Sequence, residues 1–165
     1  YWHIMNVSNS DRFIQCKGFS LLELIIVISI AMILGAISLT TFFSVSENQS
    51  LEKDVNYAIA LVEKARLQTV NAKENAQFSV RFASSSVVLY QGATYSTSSP
   101  TNTTFTFSPK VEISSINLTG NSQSVSFEKI TGKSNATGTI KFRLKTNTNA
   151  STTVILYKTG LVETQ

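Results

Sequence analysis

The sequence predicts an α+β fold: one long N-terminal helix, half of it fit to cross a membrane and half amphipathic, packed on a small antiparallel β-sheet. Three observations carry this. Residues 24–46 contain no charged side chain. Apolar residues then recur at helical spacing to about Lys73. From Gln77 onward the period falls to two, the period of strands.

Residues 1–18 read as a short polar leader, with Met5 as its expected natural start and Lys17-Gly18 as its end. Residues 19–46 follow as a membrane and assembly helix. Its uncharged part, at 1.5 Å per residue, is roughly 35 Å long, against a hydrocarbon core of roughly 30 Å. It is too long for a signal-peptide apolar region, and no small-residue cleavage site follows it. Arg12 and Lys17 precede it, opposed only by Asp11, so the positive-inside rule places that end in the cytoplasm and everything after Glu47 outside.

One acid, Glu23, stands at the head of this apolar run. Ionised side chains at the centre of a membrane helix cost roughly 2.5–3.5 kcal/mol on insertion scales. A carboxylate is tolerated near the interface or beside a positive partner. Phe19, four residues earlier, offers such a partner once its amine is free, which requires a cut between Gly18 and Phe19. The plainer reading is a carboxylate that snorkels to the interface alone.

Residues 47–75 continue as an amphipathic helix. Leu51, Val55, Ala58, Ile59, Val62, Ala65, Thr69 and Val70 share one face, with Glu52, Lys53, Asp54, Glu63, Lys64 and Arg66 between them. No Pro or Gly separates this segment from the span, so a single helix of roughly fifty residues is the simplest reading. A break near Ser44 to Asn48 is the alternative.

Residues 76–165 form a β-rich extracytoplasmic head. Phe78, Val80 and Phe82 alternate with Ser79 and Arg81; Ala83 to Ser86 reads as a hairpin turn into a strand at Val87 to Tyr90. After a Ser/Thr/Pro loop, Phe105, Phe107, Val111, Ile113, Ile116 and Leu118 mark further strands, punctuated by Pro109 and Gly120. Val125, Phe127 and Ile130 mark another. Ile140, Phe142 and Leu144 alternate with Lys141, Arg143 and Lys145, and a last hairpin runs from Val154 to Val162.

Composition excludes several kinds of chemistry. The chain has one cysteine, Cys16, and one histidine, His3. Both precede the expected cut, so the processed chain has no disulfide, no Cys/His metal set and no Cys–His or Ser–His–Asp catalysis. The acids do not cluster and no phosphate-binding glycine loop is present. No enzymatic activity and no cofactor is expected. The net charge of +4 is too mild to imply nucleic acid by itself.

The run Lys17-Gly18-Phe19-Ser20-Leu21-Leu22-Glu23-Leu24-Ile25-Ile26-Val27 resembles the processing signal of the type IV pilin-like proteins, the pilins and pseudopilins. The resemblance implies cleavage by a prepilin peptidase between Gly18 and Phe19, N-methylation of Phe19, and an assembly role for Glu23, whose carboxylate neutralises the amine of a neighbouring subunit. It implies as partners other pilin or pseudopilin subunits, the peptidase and an inner-membrane assembly platform. It places the chain first in the inner membrane as a single-pass protein and then in an extracytoplasmic filament. The C-terminal part, Gly138 to Phe142 and then Val154 to Glu163, is similar to minor pseudopilins of the GspH/FimT type.

Lys141, Arg143 and Lys145 fall on one face of a strand, with Lys158 in the following one. Such a stripe could neutralise phosphates and give salt-sensitive DNA binding, as in a DNA-uptake pilus. The plainer reading is a solvated sheet face or a guarded edge.

Overall fold

The computed structural model describes residues 18–71 and 76–165, apart from the side chains of 37–44. Of the leader expected over 1–18, residues 1–17, with Arg12, Cys16 and Lys17, lie outside the described residues, as does Lys73. The chain divides into two compact units, Tyr1–Thr40 and Thr41–Gln165. Helix α1, Leu21–Val70, is assigned as one element of 50 residues, with no break near Ser44 to Asn48.

In the first unit every described side chain, 18–36, is exposed. Among the described residues nothing covers Leu21, Leu22, Leu24, Ile25, Ile26 or Val27. A helix apolar all round is stable only when something buries it.

In the second unit the amphipathic face behaves as its spacing predicts. Leu51, Val55, Ala58, Val62, Ala65 and Thr69 are buried, and Leu61 joins them; Ile59 and Val70 are half-buried at the margin. Fully burying a Leu or Val side chain contributes roughly 1.5–3 kcal/mol. Asp54, expected on the polar face, is instead buried. Its Oδ2 accepts a 2.7 Å hydrogen bond from the Ser108 backbone N–H, so the carboxylate anchors the turn at Ser108 to the helix.

Eight strands follow: β1 (Phe78–Ala83), β2 (Ser86–Gln91), β3 (Thr103–Thr106), β4 (Val111–Leu118), β5 (Ser124–Ser126), β6 (Gly138–Leu144), β7 (Ser151–Leu156) and β8 (Val162–Thr164). They form two four-stranded sheets, ordered β3-β2-β1-β5 and β4-β6-β7-β8, with every pairing antiparallel. The fold is thus α+β as expected, with the strands divided between two sheets. The Ala83–Ser86 hairpin closes in register, and its tip joins the sheets: the Ser84 and Ser85 carbonyls accept from Ile113 N–H and Phe107 N–H, each at 2.9 Å.

Val80, Phe82, Val87, Leu89, Phe127, Ile140, Phe142 and Leu144 fill the core with the helix stripe. Phe107 packs edge-on against both Phe105 and Phe142, and Tyr57 of α1 stacks on Phe105 at 3.9 Å between ring centroids. In β1 and β2 the alternation breaks, because Ser79, Val88 and Tyr90 on the opposite face are also buried. Residues 92–95 return over that face: Ser79 Oγ donates to the Gly92 carbonyl at 2.6 Å, and the Tyr95 ring meets Tyr90 edge-on beneath the Arg81 guanidinium.

Ile130 belongs to no strand. It sits in the turn closed by the isolated Phe127–Ser134 bridge, at φ 71° and 87 % exposed. The expectation from its β-branched side chain fails because the backbone there makes a tight reversal.

Candidate processing and assembly site

The head of α1 is capped by a serine side chain. Ser20, just before the helix, accepts a 3.2 Å hydrogen bond on Oγ from the Glu23 backbone N–H. Ser-x-x-Glu is the pattern that satisfies an otherwise unpaired N–H at a helix start. Glu23 therefore lies in the first turn, where the helix dipole favours a negative charge. Sequence reasoning that concentrated on Glu23 passed over Ser20, although the spacing of the two was there to read.

Phe19 is 82 % exposed, directly before the cap. Gly18 is exposed too. An added Cβ there would meet nothing within 4 Å, and its φ lies outside the left-handed region. The fold gives no reason for glycine at 18. Gly132, Gly138 and Gly160 contrast with it: each has positive φ, and a Cβ at each would strike neighbouring atoms.

The four cations do not form one patch. Lys141 is exposed on the outward face of β6. Arg143 shares that face but is half-buried and ion-paired with Glu112 on β4, at 2.6 Å from Nη2 and 2.8 Å from Nε to the same carboxylate oxygen. Lys145 lies past the end of β6 and donates from Nζ to the Pro109 carbonyl at 2.9 Å. Lys158 stands beyond Leu156, which pairs with Gly138 at the opposite end of β6. At 3.3 Å per residue, Lys145 and Lys158 are about 30 Å apart along the strand direction.

Among the described residues no group of His, Cys, Asp and Glu could hold a metal ion. Glu47 holds its carboxyl below the usual range, first through the hydrogen bond from Lys110 (3.0 Å) and then through that from Thr146 (2.8 Å). This ties the helix to the loops before β4 and after β6. Among the described residues no helix is long and apolar enough to cross a membrane. The described helical side chains ahead of 37–44 run only from Leu21 to Ala36, short of the roughly 20 residues a span takes.

Residues 15–39 match the family model of the prokaryotic N-terminal methylation motif. The fold is similar to the crystal structure of the Pseudomonas aeruginosa type IV minor pilin FimU, with a TM-score of 0.52 and 11 % identity, covering 70 % of this chain and 92 % of that one. No curated protein matches by sequence. The chain carries a prokaryotic N-terminal methylation motif on a fold similar to that of a type IV minor pilin. The motif spans the capped head of α1, and the structural likeness is one of fold, a long helix on antiparallel sheets.

Proposed function

We propose that the chain is a structural subunit, a minor pilin or pseudopilin of the GspH/FimT type, of a type IV pilus or a type II secretion pseudopilus. Residues 1–18 are its leader. A prepilin peptidase removes them between Gly18 and Phe19 and methylates the Phe19 amine. Residues 19–46 then hold the chain in the inner membrane as a single span, with residues 47–75 and the head over 76–165 outside the cytoplasm, until an assembly platform moves the subunit into the filament. The bond-making chemistry belongs to the peptidase and the assembly machinery.

One observation carries this reading. A helical segment, residues 21–36, whose described side chains are all exposed carries a single carboxylate, Glu23, at its head, four residues after Phe19 of an exposed Gly18–Phe19 junction. In a bundle of such helices, water is excluded and opposite charges attract strongly, while an unpaired one is penalised. Glu23 of one subunit against the Phe19 amine of the next satisfies both charges and sets the register. The intact mass of the membrane-extracted protein tests the processing step. A chain beginning at Phe19 with one added methyl supports it; a retained leader contradicts it.

A DNA-binding minor subunit of an uptake pilus is the alternative reading. Exposed Lys141 and Lys158 support it, but Glu112 already neutralises Arg143 and the cations are spread along the sheet. A mobility shift at low salt that disappears in the Lys141→Gln, Lys158→Gln double variant would favour it.

A further inference from the structure

The turn over residues 128–133 carries an unusual side chain in an unusual conformation. Thr131 N–H donates to the Lys129 carbonyl at 2.8 Å across Ile130, whose φ is 71°. A three-residue turn with positive φ at its centre is rare and strained, and a β-branched residue there is an outlier. The strain is held by the surroundings. Glu128 N–H donates to Lys133 O at 2.8 Å, Gly132 N–H to Glu128 O at 3.0 Å, and the Thr131 hydroxyl to the Glu128 carboxylate at 2.9 Å. The base of the turn is clamped to α1, where Arg66 Nε donates to the Gly132 carbonyl at 3.2 Å with Gly160 packed against both. Glycine or asparagine would take this backbone more easily, and a polar residue would sit better in water. Ile130 is 87 % exposed, so its side chain gains nothing within the subunit. Strain held in place at an exposed position points to a contact made elsewhere.

The same unit carries a complementary hollow. A groove of about 440 Å³ lies between α1 and β7. Its floor includes Leu51, Val55 and Ala150, and exposed Glu52 stands on its rim. The apolar residues lie among polar ones, Asn48, Asn56, Ser151, Thr152 and Thr164, and with Glu52 beside them they match an apolar knob flanked by Lys133.

We propose that Ile130 of one subunit seats in the Leu51–Val55 groove of a second copy of this chain, with Lys133 facing Glu52. The inference rests on the filament-subunit reading and names a contact between heads within it. Both halves of the contact are on the one chain, which argues for a second copy as the occupant. They are also different patches, about 20 Å apart along α1 between residues 52 and 66. A contact between two unlike patches is head-to-tail and propagates, whereas a self-complementary one closes as a dimer.

Thiol cross-linking of the full chain in fibres tests this, in a Cys16→Ser background. Chains with Ile130→Cys and chains with Asn56→Cys are co-expressed and treated with a short bismaleimide. The expected product is a dimer formed only when both variants are present, and a ladder when one chain carries both changes. Dimers from Ile130→Cys alone, or a product joined to a protein of different mass, overturn the proposal. So does the absence of product from chains recovered in fibres, which leaves the subunit reading intact; absence of the chain from fibres overturns both. Ile130→Gly provides a second readout. It should raise the melting temperature of the unit by relieving the turn and lower recovery in fibres at least several-fold. A fall in melting temperature would show that the side chain stabilises its own subunit, against the proposal.

Discussion

Replacing Thr69 by valine should destabilise the second unit although valine is the more apolar residue. Thr69 is fully buried at the end of the helix stripe. Its hydroxyl donates to the Ala65 carbonyl at 2.8 Å and accepts from the Phe78 N–H at 2.9 Å, so it ties the last turn of α1 to the first residue of β1. Valine keeps the shape and removes both bonds. The Phe78 N–H is then left in the interior without a partner, a loss of about 1–3 kcal/mol. A methyl group also cannot sit as close to the Ala65 oxygen as the hydroxyl does, which adds strain. Thr69→Ser is the control: it keeps the hydroxyl and loses one methyl, at about 1 kcal/mol. Thermal and urea unfolding of a soluble fragment over residues 45–165 measures both. At about 2 kcal/mol, Thr69→Val should lower Tm by roughly 8 °C, with Thr69→Ser between it and the parent. A valine variant as stable as the serine variant, or more so, would refute the assignment of the hydroxyl as the link.

Gly138→Ala should cost at least about 2 kcal/mol by the same assay, because φ is 147° and the new Cβ would collide with the Asn117 carbonyl of the paired strand; a neutral result would mean that the β4–β6 register is wrong at that end. Glu47 gives a pH dependence. Its folded pKa is lowered, so its contribution is present above the ordinary carboxylate range and is lost as pH falls through the folded value. Unfolding midpoints followed from pH 7 to pH 3 should lose part of their acid sensitivity in Glu47→Gln; an unchanged profile would show that the Lys110 and Thr146 contacts do not hold in solution. Tyr157 has the opposite sign. Its hydrogen bond to Glu163 raises its pKa, and the stability it contributes below the ordinary tyrosine pKa is lost as pH rises through the raised value. Tyr157→Phe should flatten the alkaline limb, and a limb that stays as steep would count against that bond.

Much of this fold could be read from local pattern. The helix stripe from Leu51 to Thr69 declared itself by spacing, and the strand over Ile140, Phe142 and Leu144 by alternation, because one face of each is buried and the other is wet. The hairpin at Ala83–Ser86 was legible because turn and strands adjoin in sequence. What depends on distant partners was not. The division into two sheets follows from β5 pairing with β1 rather than with its sequence neighbours. Burial of Val88 and Tyr90 depends on a loop returning over the outer face, and burial of Asp54 on a backbone N–H 54 residues away. Arg143 pointed outward as alternation requires, but its neutralisation by Glu112 is set by the β4–β6 register. At the head of α1 the motif was plain, and the Ser20–Glu23 spacing was legible with it, but which residue caps the helix depends on where the helix starts.

The pairing of Glu23 with a freed Phe19 amine is the step on which the functional reading turns. Its most direct test is Glu23→Gln, which keeps the size of the side chain and the Ser20 cap while removing the charge. Fibre recovery is measured beside the intact mass of the membrane-held chain. The account predicts that the variant is still cut after Gly18 but enters fibres at a small fraction of the parent level. A correctly processed Glu23→Gln chain found in fibres at the parent level would contradict it.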